Sequence, residues 1–361
     1  MTYSPFRHLD SIVWKRSPIQ LTFFLTKRCN ARCPFCFYVS HEEKNTGSDE
    51  LSVSEIQKIS RNLDKLLWLA FSGGEIFLRS DLVEITRIFY ENNKPAIILL
   101  PTNGLLTEII YERVEAILKE CPKSTIAVKL SLDGPEHVHD KMRGVKGGYQ
   151  KTLKTCKTLG RLLDRYANFE LGINTVFCQA NQDYVEETID LVSTMEQVKT
   201  HTVSLIRGDV SQEDLKKVDL QKYKKIIEKL ESNLKKKIAS TYRFKGAKLK
   251  AAQDILQRRL IYETAQSNMR HTPCYAGRLN LVLTENGDLY PCEDFSEKMK
   301  FANIRDFDYN PLKILNTDRS KTILAMIENK GCCCTHECYF MTNILFNPAM
   351  YPPLLKEYLQ L

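Results

Sequence analysis

Three cysteines, Cys29, Cys33 and Cys36, fall within the stretch TKRCNARCPFCFY (26–38). Thiolates this closely spaced are ligands for soft metals. A closed tetrahedral zinc site wants a fourth Cys or His nearby. The next residues, VSHEEKNTG, offer only His41, and no further cysteine comes before Cys121. Either a ligand arrives from far along the chain, or one metal position is left open. Iron–sulfur cubes normally take four cysteine thiolates. Three on one tight loop would fix three irons and leave the fourth accessible to a small molecule.

A second set lies near the other end. Six of the twelve cysteines fall between 274 and 338: Cys274, Cys292, and then Cys332, Cys333, Cys334 and Cys338 in GCCCTHEC. The Asn-Gly pair in TENGDLYPC predicts a hairpin that brings Cys292 back towards Cys274. The N-terminus MTYSPFRHLDSIVWKRSPIQ has no signal-peptide pattern, and no uncharged apolar run approaches a membrane span. The expected location is cytoplasmic, where thiols stay reduced, so the cysteines point to metal and not to disulfides. Cys121, Cys156 and Cys178 sit in or beside apolar stretches and read as buried core thiols. A structural zinc site is the competing reading for the second set.

The elements that must position these residues alternate along the chain. Apolar strand candidates are 20–26, 67–72, 96–102, 125–132, 169–177 and 201–206. Helices are expected near 54–65, 80–92, 107–120, 148–166 and 181–195. Six β/α units with continuous apolar strands predict a parallel sheet covered by helices, curled into a barrel or part of one. Chemistry in such barrels gathers at the C-terminal strand ends. The three cysteines follow the first strand, SGGE (72–75) the second and TNG (102–104) the third, while SLDGPEHVHDKMRG (131–144) and RGD (207–209) close the fourth and sixth. Residues 270–345 read as a cysteine-rich, loop-rich module with brief strands at RLNLVLT and GDLYPC.

The composition, 43% hydrophobic and 27% charged, is that of an ordinary globular protein. Its length suits one large and one smaller domain. The net charge of +8 comes from one region: residues 211–260 carry fifteen Lys and Arg against six Asp and Glu. There Tyr223, Ile226, Ile227, Leu230 and Leu234 repeat at helical spacing, predicting an amphipathic helix with a solvated basic face. The sharper reading is a docking surface for an acidic partner. Aromatic residues are not interleaved as single-strand binders use them, so nucleic acid is not expected as a partner.

The spacing Cys29-x3-Cys33-x2-Cys36, with Phe35 before the last cysteine, resembles the radical S-adenosylmethionine (SAM) signature, and SGGE resembles that family's GGE motif. The resemblance implies a [4Fe-4S] cluster whose open iron is chelated by SAM, and reductive cleavage to a 5′-deoxyadenosyl radical that abstracts substrate hydrogen. It implies an electron donor such as a flavodoxin or ferredoxin. Gly73 and Gly74 would let backbone approach SAM, and Glu75 would aid recognition of its ammonium. Ser131 and Asp133 become candidate contacts to the ribose or carboxylate, with Asn103 and Asn174 at neighbouring strand ends. Arg207 could pair with a carboxylate of SAM or substrate, and Arg143 could clamp its loop.

Cys274-x12-Gly287-x4-Cys292, with the later Cys334-x3-Cys338, resembles the SPASM or shortened twitch extension. That implies one auxiliary [4Fe-4S] cluster with Cys274, Cys292 and Cys338 as ligands, completed by Cys334 or Cys332, and Cys333 turned away. The full SPASM pattern is not met, so a second auxiliary cluster is not expected. In the related anaerobic sulfatase-maturating enzymes an acidic residue directly after the matching cysteine acts as a base; Glu293 occupies that place. His41, His271 and His336 are further candidate ligands or acid–base groups.

The expected architecture is α/β: a partial (β/α)6 TIM-like barrel (20–209) after an N-terminal extension (1–19). A basic helical bridge (210–269), a SPASM/twitch-like auxiliary-cluster domain (270–345) and an apolar tail (346–361) packed as helix complete it. The expected enzyme modifies a peptide or a small metabolite. Residues 1–19 are not expected to form a separate peptide-binding domain. The alternative is a non-catalytic zinc or iron–sulfur scaffold or redox relay, which binds metal without cleaving SAM.

Overall fold

The computed structural model describes residues 2–39, 47, 49–239 and 242–361, and His41 lies outside them. The alternating pattern folds as β1 (Gln20–Phe24), α1 (Val53–Arg61), β2 (Trp68–Ser72), α2 (Leu82–Asn93), β3 (Ile97–Thr102) and α3 (Thr107–Glu120). It continues with β4 (Thr125–Ser131), α4 (Glu136–Arg143), α5 (Gly148–Gly160), β5 (Phe169–Phe177), α6 (Val185–Ser193) and β6 (Thr200–Leu205). Neighbouring strands from β1 to β6 all pair in parallel. Along each strand, alternate residues face opposite sides. Leu21, Phe23, Leu69, Phe71, Ile98, Leu100, Ile126 and Val128 form the outer set, buried in the core beneath the helices. The other set faces the lumen and is more polar: Ser131 stands in register with Asn174, and Asn174 with Thr202.

After β6 come α7 (Leu220–Lys235), α8 (Ala247–Ser267), β7 (Asn280–Leu283), β8 (Asp288–Tyr290) and β9 (Ala302–Asn303). Helices α9 (Pro311–Leu315), α10 (Asp318–Glu328), α11 (Glu337–Leu345) and α12 (Tyr351–Gln360) end the chain. The strand order is β6-β5-β4-β3-β2-β1-β7-β8-β9. The barrel sheet is therefore open. β7 pairs parallel with β1, Gln20 opposite Asn280, and carries the sheet into the cysteine-rich region.

Two features depart from the sequence reading. The segment after β4, expected as a polar loop, contains α4, which ends at Gly144 with a positive φ of 63°. Region 270–345 holds three helices and not mainly loops. The apolar tail forms a helix as expected, α12, which packs on α8. The amphipathic helix of the basic bridge is α7, with Tyr223, Ile226, Ile227 and Leu230 buried. Its cations are partly matched by acids from neighbouring elements: Lys222 pairs with Asp183 at 2.5 Å, Lys229 with Asp190 at 2.6 Å, and Lys235 with Glu357 at 2.9 Å. Among the described residues, no helix is long and apolar enough to cross a membrane.

Candidate active site

The loop leaving β1 carries the first three cysteines, and glycines after β2 hold it in place. Gly74 N donates to Thr26 O at 2.7 Å and Glu75 N to Arg28 O at 2.9 Å. This backbone contact leaves no room for side chains. A Cβ on Gly73, whose φ is +122°, would strike the Thr26 carbonyl, and one on Gly74 would strike the Arg28 carbonyl. The Gly-Gly pair thus sets where Cys29 begins its turn. Gly74→Ala should lower stability by ~1–3 kcal/mol through overpacking, read as a reduced denaturation midpoint, and reduce iron retained after reconstitution.

A cavity of about 160 Å³ opens at this point, lined by Cys29, Cys33, Cys36, Gly73, Gly74, Glu75, Asn103, Ser131 and Arg143 among others. The ends of four strands thereby meet around the cysteines. Ala31 N donates to Cys29 Sγ at 3.5 Å and Val39 N to Cys36 Sγ at 3.3 Å. Burial pushes the Cys29 thiol up and the Cys33 thiol to about 11, so metal must displace protons to bind.

Glu75 is buried and its carboxylate is fully engaged. Oε1 accepts from Thr102 Oγ1 at 2.9 Å and Phe77 N at 3.2 Å, and Oε2 from Asn103 N at 2.8 Å. Burial still raises its pKa to about 7. In this arrangement Glu75 ties TNG to the Gly-Gly turn. Asn103 Nδ2 donates to Asn30 Oδ1 at 2.7 Å and lies 3.9 Å from Cys29 Sγ, so it steadies the cysteine loop. Ser131 lines the cavity from the end of β4.

Asp133 does not line the cavity, contrary to its reading as a direct SAM contact. It is wholly buried, with Oδ2 accepting from Arg143 Nε at 2.6 Å and Oδ1 from Val176 N at 3.0 Å. Arg143 is the member that reaches the cysteines, its Nη1 3.7 Å from Cys33 Sγ. Its guanidinium also lies over the Phe35 ring, 5.2 Å from the centroid. Phe35 is accordingly placed against Arg143 and not among the cavity-lining residues. Arg32 N donates to Arg143 O at 2.8 Å, docking the end of α4 on the cysteine loop.

The second cysteine set is built around the expected hairpin. β7 and β8 pair antiparallel, Val282 opposite Tyr290, and Gly287 takes the positive φ of 91° that the turn requires. Burial raises the thiols of Cys274, Cys292 and Cys332. Mutual proximity adds to this: Cys332 acts on Cys274, and Cys334 and Cys274 on Cys292. Cys338 has different company. Burial and then Glu293 raise its thiol, with Arg207 opposing. Cys333 and Cys334 are both exposed, and no cysteine is disulfide-bonded. Among the described residues, no three His, Cys, Asp or Glu side chains are gathered as a single-ion site.

Glu293 and Arg207, named separately from sequence, are joined here. Arg207 Nη2 donates to Glu293 Oε2 at 2.9 Å, and His336 Nδ1 lies 3.6 Å from the same oxygen. Burial would raise the Glu293 pKa, but Arg207 and His336 hold it down to about 2. It can act as a base only when that pairing loosens. Arg207 also stacks over Phe37 at 5.1 Å, linking the end of β6, the first cysteine loop and the second cysteine set. Asn174 lies outside the cysteine cavity. Its Oδ1 lies 3.1 Å from Ser204 Oγ, whose single proton is donated to Glu337 Oε2 at 2.6 Å. His271 is exposed and hydrogen-bonds Ser267. The sequence reading missed Asn30, Ser204 and Glu337. Glu337 could have been flagged as an acid beside a candidate ligand.

Comparison with known proteins agrees with this geometry. Residues 23–192 match the model of the Radical SAM superfamily. Over 212 residues the chain is 30% identical to the AdoMet-dependent heme synthase of Methanosarcina barkeri, covering 56% of each chain. Over 148 residues it is 34% identical to the antilisterial bacteriocin subtilosin biosynthesis protein AlbA of Bacillus subtilis, covering 39% of this chain and 30% of that one. The match thus spans about half or less of these curated relatives. Among solved structures, Streptococcus suis SuiB bound to S-adenosylmethionine superposes with a TM-score of 0.61 at 18% identity, over 85% of this chain and 68% of SuiB. Native anSMEcpe with bound AdoMet gives 0.60 at 17% identity, over 95% and 96%. At these identities the likeness is one of fold. Residues 23–192 thus form a radical SAM superfamily domain, and the relatives of this chain include SPASM/twitch-type enzymes.

Proposed function

We propose that this chain is a radical SAM modifying enzyme with one auxiliary iron–sulfur cluster, acting on a peptide or a small metabolite. The observation that carries the reading is the convergence of Cys29, Cys33 and Cys36 with the Gly73–Gly74 turn on one cavity. The donor set fits: three soft thiols, two of them receiving backbone N–H groups that favour a thiolate. Cys29, Cys33 and Cys36 would hold the first cluster. Cys274 and Cys292, with two of Cys332, Cys334 and Cys338, would hold the auxiliary one. When bound, the cluster and SAM supply one-electron cleavage of the sulfonium and, from it, hydrogen abstraction.

The protein's own residues place and shield that chemistry. Gly73 and Gly74 bring β2's exit against the cysteine loop, and Glu75 fixes Asn103 beside it. Asp133 holds Arg143 near Cys33, where a fixed cation favours the thiolate over the thiol. Ser131 presents a hydroxyl to the cavity. Arg207 and Glu293 lock the second cysteine set to the barrel rim.

A peptide substrate is supported by the printed names of relatives, among them the PqqA peptide cyclase of Rhodopseudomonas palustris, 28% identical over 182 residues, and by SuiB solved with its precursor peptide SuiA. It predicts salt-sensitive binding to the α7 face, whereas a metabolite predicts turnover indifferent to neutralising that face. Reduction by a flavodoxin or ferredoxin completes the proposal.

The test is anaerobic reconstitution with iron and sulfide counts and a dithionite assay for 5′-deoxyadenosine. About eight irons are expected from two four-iron cubes. Cys292→Ala should fall to about four, while Cys333→Ala, outside the proposed ligand set, should keep the full count. Tightly bound zinc without SAM cleavage would replace this reading with the scaffold alternative.

A further inference from the structure

Two side chains beside the second cysteine set hold buried hydrogen-bond donors that no described residue accepts. Arg270 follows α8, where Asn268 turns the chain with a φ of 51°, and stands four residues before Cys274. Its Nη2 donates to Glu328 O at 3.3 Å, at the end of α10 from which GCCCTHEC departs. The guanidinium therefore sits between the segment that carries Cys274 and the segment that carries Cys332. Its Nε and Nη1 are buried and without a partner among the described residues. The thiols on which its charge acts are those of Cys274, Cys332 and Cys333. No carboxylate among the described residues pairs with it. Glu328 gives its carboxylate to Arg278, and Asp294, the acid acting on Cys332, is turned to Ser296 N at 3.0 Å.

Tyr339 approaches the same set from α11, directly after Cys338. One turn on, Asn343 Oδ1 accepts from Tyr275 N at 2.9 Å, so this face of α11 lies against the residue that follows Cys274. Tyr339 is 1% exposed, and its hydroxyl has no partner. The charges that reach this hydroxyl come from Glu293, Cys292, Cys338 and Cys334, and Glu293 is already held by Arg207. A buried N–H or O–H without an acceptor costs stability. Arg270 and Tyr339 bear that cost on one group of thiols, which marks the place of an acceptor.

We propose that Arg270 and Tyr339 donate hydrogen bonds to the sulfur atoms of the auxiliary cluster and so raise its reduction potential. The inference rests on the radical SAM reading with one auxiliary cluster, and it gives that cluster its electrostatic setting. A cube held by four thiolates is an anion, and reduction adds one more negative charge. A fixed guanidinium and a hydroxyl donating to sulfur favour the reduced form over the oxidised one. A mere packing role for the two side chains would change stability and leave the potential where it is.

The test is a redox titration followed by electron paramagnetic resonance on the reconstituted full-length Cys33→Ala chain, which keeps the auxiliary cluster alone. Adding Arg270→Met should lower the cluster's affinity for an electron at least tenfold, about 59 mV for one electron. Arg270→Lys, which restores the charge, should recover part of that shift. Tyr339→Phe removes one oxygen and keeps the ring, so it carries the test should Arg270→Met not fold; it should shift the midpoint in the same direction. Iron is counted on every sample. About four irons per chain with a midpoint unchanged in Arg270→Met or in Tyr339→Phe overturns the proposal while the auxiliary cluster stands. Zinc without iron in the Cys33→Ala parent overturns the auxiliary-cluster reading, and the proposal with it.

Discussion

Cys33→Ala should reduce reductive SAM cleavage about a thousandfold or more, ~4 kcal/mol in the barrier, while leaving the second cysteine set able to hold iron. The expectation follows from position. Cys33 is the buried central member of the loop, with Arg143 Nη1 3.7 Å from its sulfur and the cavity on its flank. Alanine keeps the backbone turn but removes one of three ligands that arise from a single short segment. Iron analysis should therefore fall to about four per chain, the auxiliary cube alone, as 5′-deoxyadenosine disappears. The product is quantified chromatographically against wild type under dithionite.

Asp133→Ala should be the most destabilising single substitution near the site, at ~3–5 kcal/mol. The carboxylate is wholly buried and bonds Arg143 Nε at 2.6 Å and Val176 N at 3.0 Å. Removing it leaves the Arg143 guanidinium buried without its counter-charge, and a backbone donor without its acceptor. A lowered urea midpoint with an unchanged m-value would report the loss. Arg143→Met in the Asp133→Ala background should recover part of it, because the stranded cation is then gone. The same pair explains why α4 matters to the chemistry: through Arg143 its end is fixed on the cysteine loop.

The strands, their order in the chain and the three cysteines were readable because each rests on local pattern. Continuous apolar runs at 20–26 or 125–132 leave few options but buried parallel strands, and a Cys-x3-Cys-x2-Cys loop is unusual chemistry on its own. Pairings across long separations were not readable in that way. Nothing in RLNLVLT says that Asn280 will stand opposite Gln20, so the continuation of the sheet from β1 into β7 was missed. The helix α4 was masked by the polar, turn-rich look of SLDGPEHVHDKMRG. Asp133 was singled out at a strand end and Glu293 as the acid directly after Cys292, yet their partners, Arg143 and Arg207, become visible only once the loops are folded together.

The central claim is a cluster with an open corner that SAM completes, and its most direct test is electron paramagnetic resonance. The sample is reduced, reconstituted Cys292→Ala protein, in which the auxiliary cluster no longer contributes. Adding SAM should shift the g-values of the remaining [4Fe-4S] signal, reporting a ligand arriving at an iron that no cysteine holds. A reduced-cluster spectrum that SAM leaves unaltered would contradict the account.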